Sequence, residues 1–162
     1  MQIELEKTVA VKPTEAFAIL TNIADWPQII GSIREIEMLT PGPIRVGTRI
    51  REERIMFGRE VTQDLEIKTI ERPHRLRLWS DESALPYELD HVVDAIYGGG
   101  CRMMLIFRSR PGTSAGRALQ PFVAPFMGIT LRDELERDLA DLAAAVARRG
   151  SLDLARSGRK PG

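Results

Sequence analysis

Between Ile33 and Arg110 apolar and polar residues alternate with a period of two, and this stretch excludes most folds open to a chain of 162 residues. The alternation breaks at Pro41-Gly42-Pro43, Phe57-Gly58, Arg72-Pro73, Leu85-Pro86 and Gly98-Gly99-Gly100, leaving six strands joined by turns in an antiparallel meander. A slip of one residue in any pairing would turn every side chain to the wrong face, so facing predicts two hairpin registers. A two-residue turn at Phe57-Gly58 sets Arg54 opposite Val61, Glu52 opposite Gln63, Ile50 opposite Leu65 and Thr48 opposite Ile67. That pairing gathers Val61, Leu65 and Ile67 on one side and Asp64, Glu66 and Lys68 on the other. A three-residue turn at Gly98-Gly99-Gly100 sets Ala95 opposite Met103, Val93 opposite Leu105 and His91 opposite Phe107. The inner face that follows is Ile50, Leu65, Ile67, Leu76, Leu78, Tyr87, Leu89, Val93, Met103, Leu105 and Phe107, with polar Glu52, Arg54, Gln63 and His91 among them.

Two helices and one strand precede the meander. Ile3, Leu5, Val9 and Val11 alternate with polar neighbours, as in a strand with one wet face. Pro13 suits the first turn of a helix whose apolar face is Ala16, Phe17, Ile19 and Leu20. In a second short helix Asp25 is placed to cap, Pro27 sits just inside the start, and Gln28 stands three residues after the cap.

After the meander the period changes to that of a long helix over residues 113 to 149. Its second half carries a one-sided stripe of Leu131, Leu135, Leu139, Leu142 and Val146. Its first half is apolar on more than one face, with Leu119, Phe122, Val123, Phe126, Met127, Ile129 and Leu131, and no residue between Arg117 and Arg132 is charged. A helix apolar all round is buried or touches something apolar. Pro121 and Pro125 are expected to break or bend it. Residues 1 to 149 therefore form one domain, and 150 to 162, small, polar and basic, read as a disordered tail carrying Arg156, Arg159 and Lys160.

Lysine plus arginine and aspartate plus glutamate number 23 each, so no global field draws the chain to nucleic acid or to an anionic membrane. The uncharged run from Ala118 to Leu131 is shorter than the roughly 20 apolar residues that span a bilayer. The single Cys101 cannot form an internal disulfide, and Met-Gln-Ile-Glu-Leu-Glu lacks the order of a signal peptide, which points to a cytoplasmic location.

Several short runs carry a family resemblance. Val9-Ala10-Val11-Lys12-Pro13-Thr14-Glu15-Ala16-Phe17 resembles the strand-to-helix junction of the START-like SRPBCC superfamily, in its polyketide cyclase/dehydrase and lipid-transport branch. Asn22-Ile23-Ala24-Asp25-Trp26-Pro27 is similar to that family's second helix, Gly47-Thr48 to its strand-opening glycine, and Glu71-Arg72-Pro73-His74-Arg75-Leu76 to its proline-marked turn. The resemblance implies the α+β helix-grip fold, in which a curved antiparallel sheet of about seven strands grips the long C-terminal helix. Two short helices follow the first strand, and an elongated, mostly apolar cavity lies between sheet and helix. It implies no cofactor.

Gly112-Thr113-Ser114-Ala115-Gly116 matches a nucleophile elbow, but no histidine follows His91 and the sheet is antiparallel, so Thr113 or Ser114 capping the terminal helix is the better reading. His91 is the sharper candidate, since an imidazole near its reference pKa exchanges protons at neutral pH. Its plainer reading is a core histidine packed against Phe107. Glu52, Arg54 and Gln63 either hold the polar end of a ligand or sit beyond the cavity and reach water. Trp26 and Trp79 are pocket or core aromatics. His74, His91 and Cys101 lack metal-ligand spacing, so no metal is expected.

The first functional reading is a protein that binds or carries a small hydrophobic molecule, lipid or polyketide-like, between sheet and terminal helix. Its lining is Trp26, Ile50, Arg54, Gln63, Leu65, Ile67, Leu78, Leu89, Val93, Met103, Leu105, Phe107, Phe122, Phe126 and Met127. The second is a cofactor-independent cyclase, aromatase or dehydratase in which His91, Tyr87 or Glu52 moves protons. The third is an interaction module with a protein partner at the terminal helix.

Overall fold

The computed structural model describes residues 1–80, 86–110 and 114–158, with side chains of the terminal helix described from Gly128 onward apart from 153, 154 and 157. The elements are β1 (Gln2–Val9), α1 (Pro13–Thr21), a 3-10 turn (Ile23–Asp25), α2 (Trp26–Ile29), β2 (Ile33–Met38), β3 (Arg49–Met56), β4 (Arg59–Glu71), β5 (Arg75–Ser80), β6 (Tyr87–Ala95), β7 (Cys101–Ser109) and α3 (Ser114–Ser157). The strands form one antiparallel sheet in the order β1-β7-β6-β5-β4-β3-β2. This is the seven-stranded, helix-grip arrangement expected from the sequence.

The β3–β4 register is the predicted one, with Arg54 opposite Val61, Glu52 opposite Gln63 and Ile50 opposite Leu65. The β6–β7 register is not. Ala95 faces Cys101, Val93 faces Met103 and His91 faces Leu105, two residues away from the expected pairing. Gly100 is held against the adjoining strand: a Cβ there would stand 2.5 Å from the Val9 carbonyl oxygen. The chain therefore reverses over Ile96 to Gly99, with Tyr97 fully exposed at the tip. A slip of two conserves facing, so the predicted inner face survives it. The register also shifts between Ile67 and Thr69 in β4 and between Ile33 and Glu35 in β2, irregularities of the kind that bend a strand.

On the concave side α3 lays Leu131, Leu135, Leu139, Leu142 and Val146 into a core shared with Ile3, Leu5, Phe17, Leu20 and the inner faces of the central strands. Full burial of each such side chain is worth about 1.5–3 kcal/mol. Pro121 and Pro125 do not break α3, which runs unbroken through both. A proline removes one bond from the ladder, and a helix this long can absorb that loss. Nor does the helix stop at Gly150. A Cβ at that position would lie 2.4 Å from Val11 Cγ2, so the glycine lets α3 pass close to the chain leaving β1, and the helix continues to Ser157. The tail expected from residue 150 is thus helical over most of its length.

Asp25 stands at the N-cap position of α2, as expected, but its side chain makes no capping hydrogen bond. It closes the preceding 3-10 turn, and its Oδ2 accepts from Asn22 Nδ2 at 2.7 Å and from Arg149 Nη2 at 3.2 Å. Thr113 and the side chain of Ser114 lie outside what is described, and with them the capping expectation for α3.

Candidate functional site

Alternation along β3 turns Ile50, Glu52 and Arg54 inward, and the β3–β4 register brings Gln63 beside Glu52. Alternation along β6 does the same for Tyr87, Leu89, His91 and Val93. Across from them α3 presents Asp138 and Leu142, while the start of the meander supplies Ile30, Ser32 and Ile33. Between these elements is a cavity of about 20 Å³ bounded by Trp26, Ile30, Ile33, Glu52, Arg54, Leu65, Leu78, Tyr87, Leu89, His91, Leu105, Asp138 and Leu142. A space of that size holds about one oxygen-sized group.

The polar groups at the cavity are buried. Relative exposure is 2% for Glu52, 6% for Arg54, 5% for Gln63, 4% for His91 and 5% for Asp138, which corrects the reading in which Glu52 and Arg54 reach water. Such groups persist in a core only when paired, and most of these are. Arg54 donates through Nη1 to Glu52 Oε1 at 3.3 Å and through Nη2 to Asp138 Oδ2 and to Ser32 Oγ, the last at 2.7 Å. Ser32 Oγ donates in turn to Asp138 Oδ1 at 2.7 Å. Gln63 Nε2 donates to Glu52 Oε1 at 2.8 Å, and Gln63 Oε1 accepts from the Tyr87 hydroxyl at 2.9 Å.

Four buried side-chain nitrogens have no hydrogen-bond partner among the described residues, Arg54 Nε, Arg75 Nε, His91 Nε2 and Arg102 Nε, and of these residues Arg54 and His91 line the cavity. Buried polar atoms in folded proteins are nearly always satisfied, so an orphan calls for an explanation. His91 does not pack on Phe107 as expected. Its ring stands 5.6 Å from that of Trp26, whose indole N–H is tied to the Leu20 carbonyl at 3.0 Å, while Phe107 stacks on Tyr87 at 5.1 Å.

Burial pushes the His91 pKa down to about 4, only partly opposed by the neighbouring Asp90 carboxylate, so the imidazole is neutral at physiological pH. Burial pushes the Glu52 carboxyl up, with Arg54 pulling the other way. Burial also opposes the charge on Arg54, but Glu52 and Asp138 outweigh it and the guanidinium is held above its ordinary value.

Among the residues singled out from the sequence, His91, Tyr87, Glu52, Trp26, Arg54, Leu65, Leu78, Leu89 and Leu105 meet at this cavity, and Gln63 joins it through Glu52. Ile50, Ile67, Val93, Met103 and Phe107 are buried in the surrounding core instead. Trp79 is on the opposite face of the sheet under Lys68, whose Nζ is 5.0 Å from the ring centre. Phe122, Phe126 and Met127 lie outside the described side chains. Asp138 and Ser32 were missed. Asp138 stands three residues after Leu135 and four before Leu142, so it is a charge on the apolar stripe, and that position was its signal.

A curved sheet gripping a long helix over an interior cavity defines a START-like protein of the SRPBCC superfamily. Within that class the chain belongs to the polyketide cyclase/dehydrase and lipid transport family, which matches residues 1–147. No curated protein matches it by sequence. By structure it is similar to TTHA0849 from Thermus thermophilus, with a TM-score of 0.75 and 16% identity over 92% of this chain and 99% of that one. It is also similar to the Zhui aromatase/cyclase from Streptomyces sp. R1128, with a TM-score of 0.72 and 14% identity over 92% and 94% of the two chains. A START superfamily protein from Mycobacterium smegmatis aligns with a TM-score of 0.63 and 11% identity over 87% and 98%. At these identities the likeness is one of fold. Among the described residues no helix is long and apolar enough to cross a membrane.

Proposed function

We propose that this protein binds a small, mostly apolar molecule between sheet and α3, with one polar group of the ligand seated at the Arg54–His91 end. The observation that carries the reading is the pair of orphaned buried atoms, Arg54 Nε and His91 Nε2, on residues lining one cavity. A side chain kept only for packing gains nothing from an unpaired nitrogen, whereas pockets combine apolar walls with a few placed polar groups. Trp26, Leu65, Leu78, Leu89 and Leu105 supply such walls around the seat of the polar group, and the apolar body of the ligand needs room beyond that space of about 20 Å³.

A cofactor-independent cyclase or dehydratase is the second reading, favoured by His91, Tyr87 and Glu52 bordering the same space. The pKa of His91 near 4 weighs against it. Acid–base catalysis works best with a pKa near the working pH, and this imidazole is protonated in roughly one molecule in a thousand at neutrality. Binding makes better use of a neutral ring.

The test is native mass spectrometry of freshly purified protein with organic extraction of anything bound, alongside titration with the neutral fluorophore N-phenyl-1-naphthylamine. Saturable uptake of the probe that quenches Trp26 emission and is weakened by His91→Leu supports the reading. A protein that carries no small molecule and takes up no probe would sink it.

A further inference from the structure

We propose that the buried end of the ligand is an uncharged oxygen, a hydroxyl or carbonyl, and that the site turns away carboxylates. This deepens the binding reading above and rests on it. Of the residues lining the cavity, Arg54, Glu52 and Asp138 carry the ionisable charge, one guanidinium against two carboxylates. Both Nη atoms of Arg54 are already engaged, Nη1 with Glu52 and Nη2 with Asp138 and Ser32, which takes three of the five N–H groups. Nε is the guanidinium nitrogen with no partner. A carboxylate entering here would meet an arginine already neutralised and two negative groups at close range, and like charges brought together out of water repel strongly.

His91 does not rescue an anion, because its buried ring is neutral and brings no positive charge. If Glu52 retains a proton the cluster becomes neutral overall, which still provides nothing to balance a second carboxylate. An uncharged oxygen has no such difficulty. It accepts from Arg54 Nε–H or pairs with His91 Nε2, and its size suits a space of about 20 Å³. An ammonium group fits less well, since it would set a donor against the Arg54 donor.

Displacement of N-phenyl-1-naphthylamine by three molecules sharing one alkyl chain, decan-1-ol, decylammonium and decanoate, tests this at neutral pH. The alcohol is expected to displace the probe best and decanoate least, with decanoate weaker than decylammonium by about tenfold or more. Comparing the two ions removes the general advantage of an uncharged tail. Glu52→Gln, and independently Asp138→Asn, should each narrow the gap between decanoate and decylammonium by about tenfold, because each removes one negative charge from the cluster. Decanoate binding as tightly as decylammonium to the unaltered protein overturns the inference and leaves the binding reading standing. Probe uptake with no displacement by any of the three overturns the inference alone, and absence of probe uptake overturns both.

Discussion

Arg54 on β3 and Asp138 on α3, 84 residues apart in sequence, are joined through Nη2 and Oδ2 in the buried layer between sheet and helix. Neither can leave that contact without exposing the other's charge to an apolar interior. The pair therefore fixes where α3 lies along the sheet, and through Ser32 it holds the segment leading into β2 as well.

Removing Arg54 alone should be more damaging than removing the whole cluster. Arg54→Met leaves Glu52 and Asp138 uncompensated and is expected to cost about 3–5 kcal/mol. The triple variant Arg54→Met, Glu52→Gln, Asp138→Asn has no buried charge to strand and should recover most of that loss. Urea unfolding of the two proteins decides it, and a triple variant no more stable than the single one would contradict the account.

Stability should decline in acid because of His91. Its folded pKa, about 4, lies below the ordinary 6.5, so between those values the unfolded chain binds a proton that the folded chain refuses. The stabilisation is complete above 6.5 and is lost as pH falls toward 4, at most about 3 kcal/mol in all. Glu52 has the opposite sign: its raised pKa makes the folded state the better proton binder, so its contribution falls as pH rises above 4.5. The two are separated by comparing unfolding free energies of the native sequence and His91→Gln across the acid range. The variant should show a distinctly flatter acid decline, and parallel curves would rule out His91 as the source.

Much of this arrangement could be read from the residues in order. Alternation from Ile33 to Arg110 is strict enough to define inner and outer faces, and Phe57-Gly58 pins the β3–β4 register because the turn occupies only those two residues. The β6–β7 register escaped because three consecutive glycines permit several turns of equal parity, and the choice among them rests on the neighbouring Val9 backbone. Gly150 read as a stop for the same kind of reason: its role depends on Val11, far away in sequence. At the site, Glu52, Arg54, Gln63 and His91 announced themselves as polar residues on an apolar face. Their partner Asp138 was marked only as a charge on the apolar stripe of α3 and Ser32 not at all, since sequence periodicity assigns a face and leaves the opposing element open.

The close approach at Gly100 gives a prediction of unequal glycines. Gly99 and Gly100 both have positive φ, 99° and 86°, so alanine at either carries a backbone penalty of about 1–3 kcal/mol. Around Gly99 a Cβ meets nothing within 4 Å, whereas at Gly100 it meets the Val9 carbonyl oxygen at 2.5 Å and Ala10 Cα at 3.3 Å. Backbone atoms cannot swing aside as a long side chain does. Gly100→Ala should therefore lower the melting temperature well beyond Gly99→Ala and loosen amide-exchange protection where β1 meets β7 at Val9 and Cys101. Equal melting temperatures for the two variants would show that the Val9 contact does not matter.

Gly150 and Val11 should behave as a coupled pair. On propensity alone, Gly150→Ala within a helix would stabilise by about 1 kcal/mol. The added methyl would lie 2.4 Å from Val11 Cγ2, on a β-branched side chain with few rotamers to retreat into, and overpacking of this kind costs about 1–3 kcal/mol. The net effect of Gly150→Ala is expected to be a loss. Val11→Ala also loses stability, because Val11 is buried in the core. Together the two substitutions fill the space the valine vacates, and the double variant should be more stable than the sum of the single losses predicts, with a coupling of about 1 kcal/mol or more. Additive losses in a double-mutant cycle by chemical denaturation would mean that α3 shifts at Gly150 to admit the methyl, and that the glycine is not what sets its distance from β1.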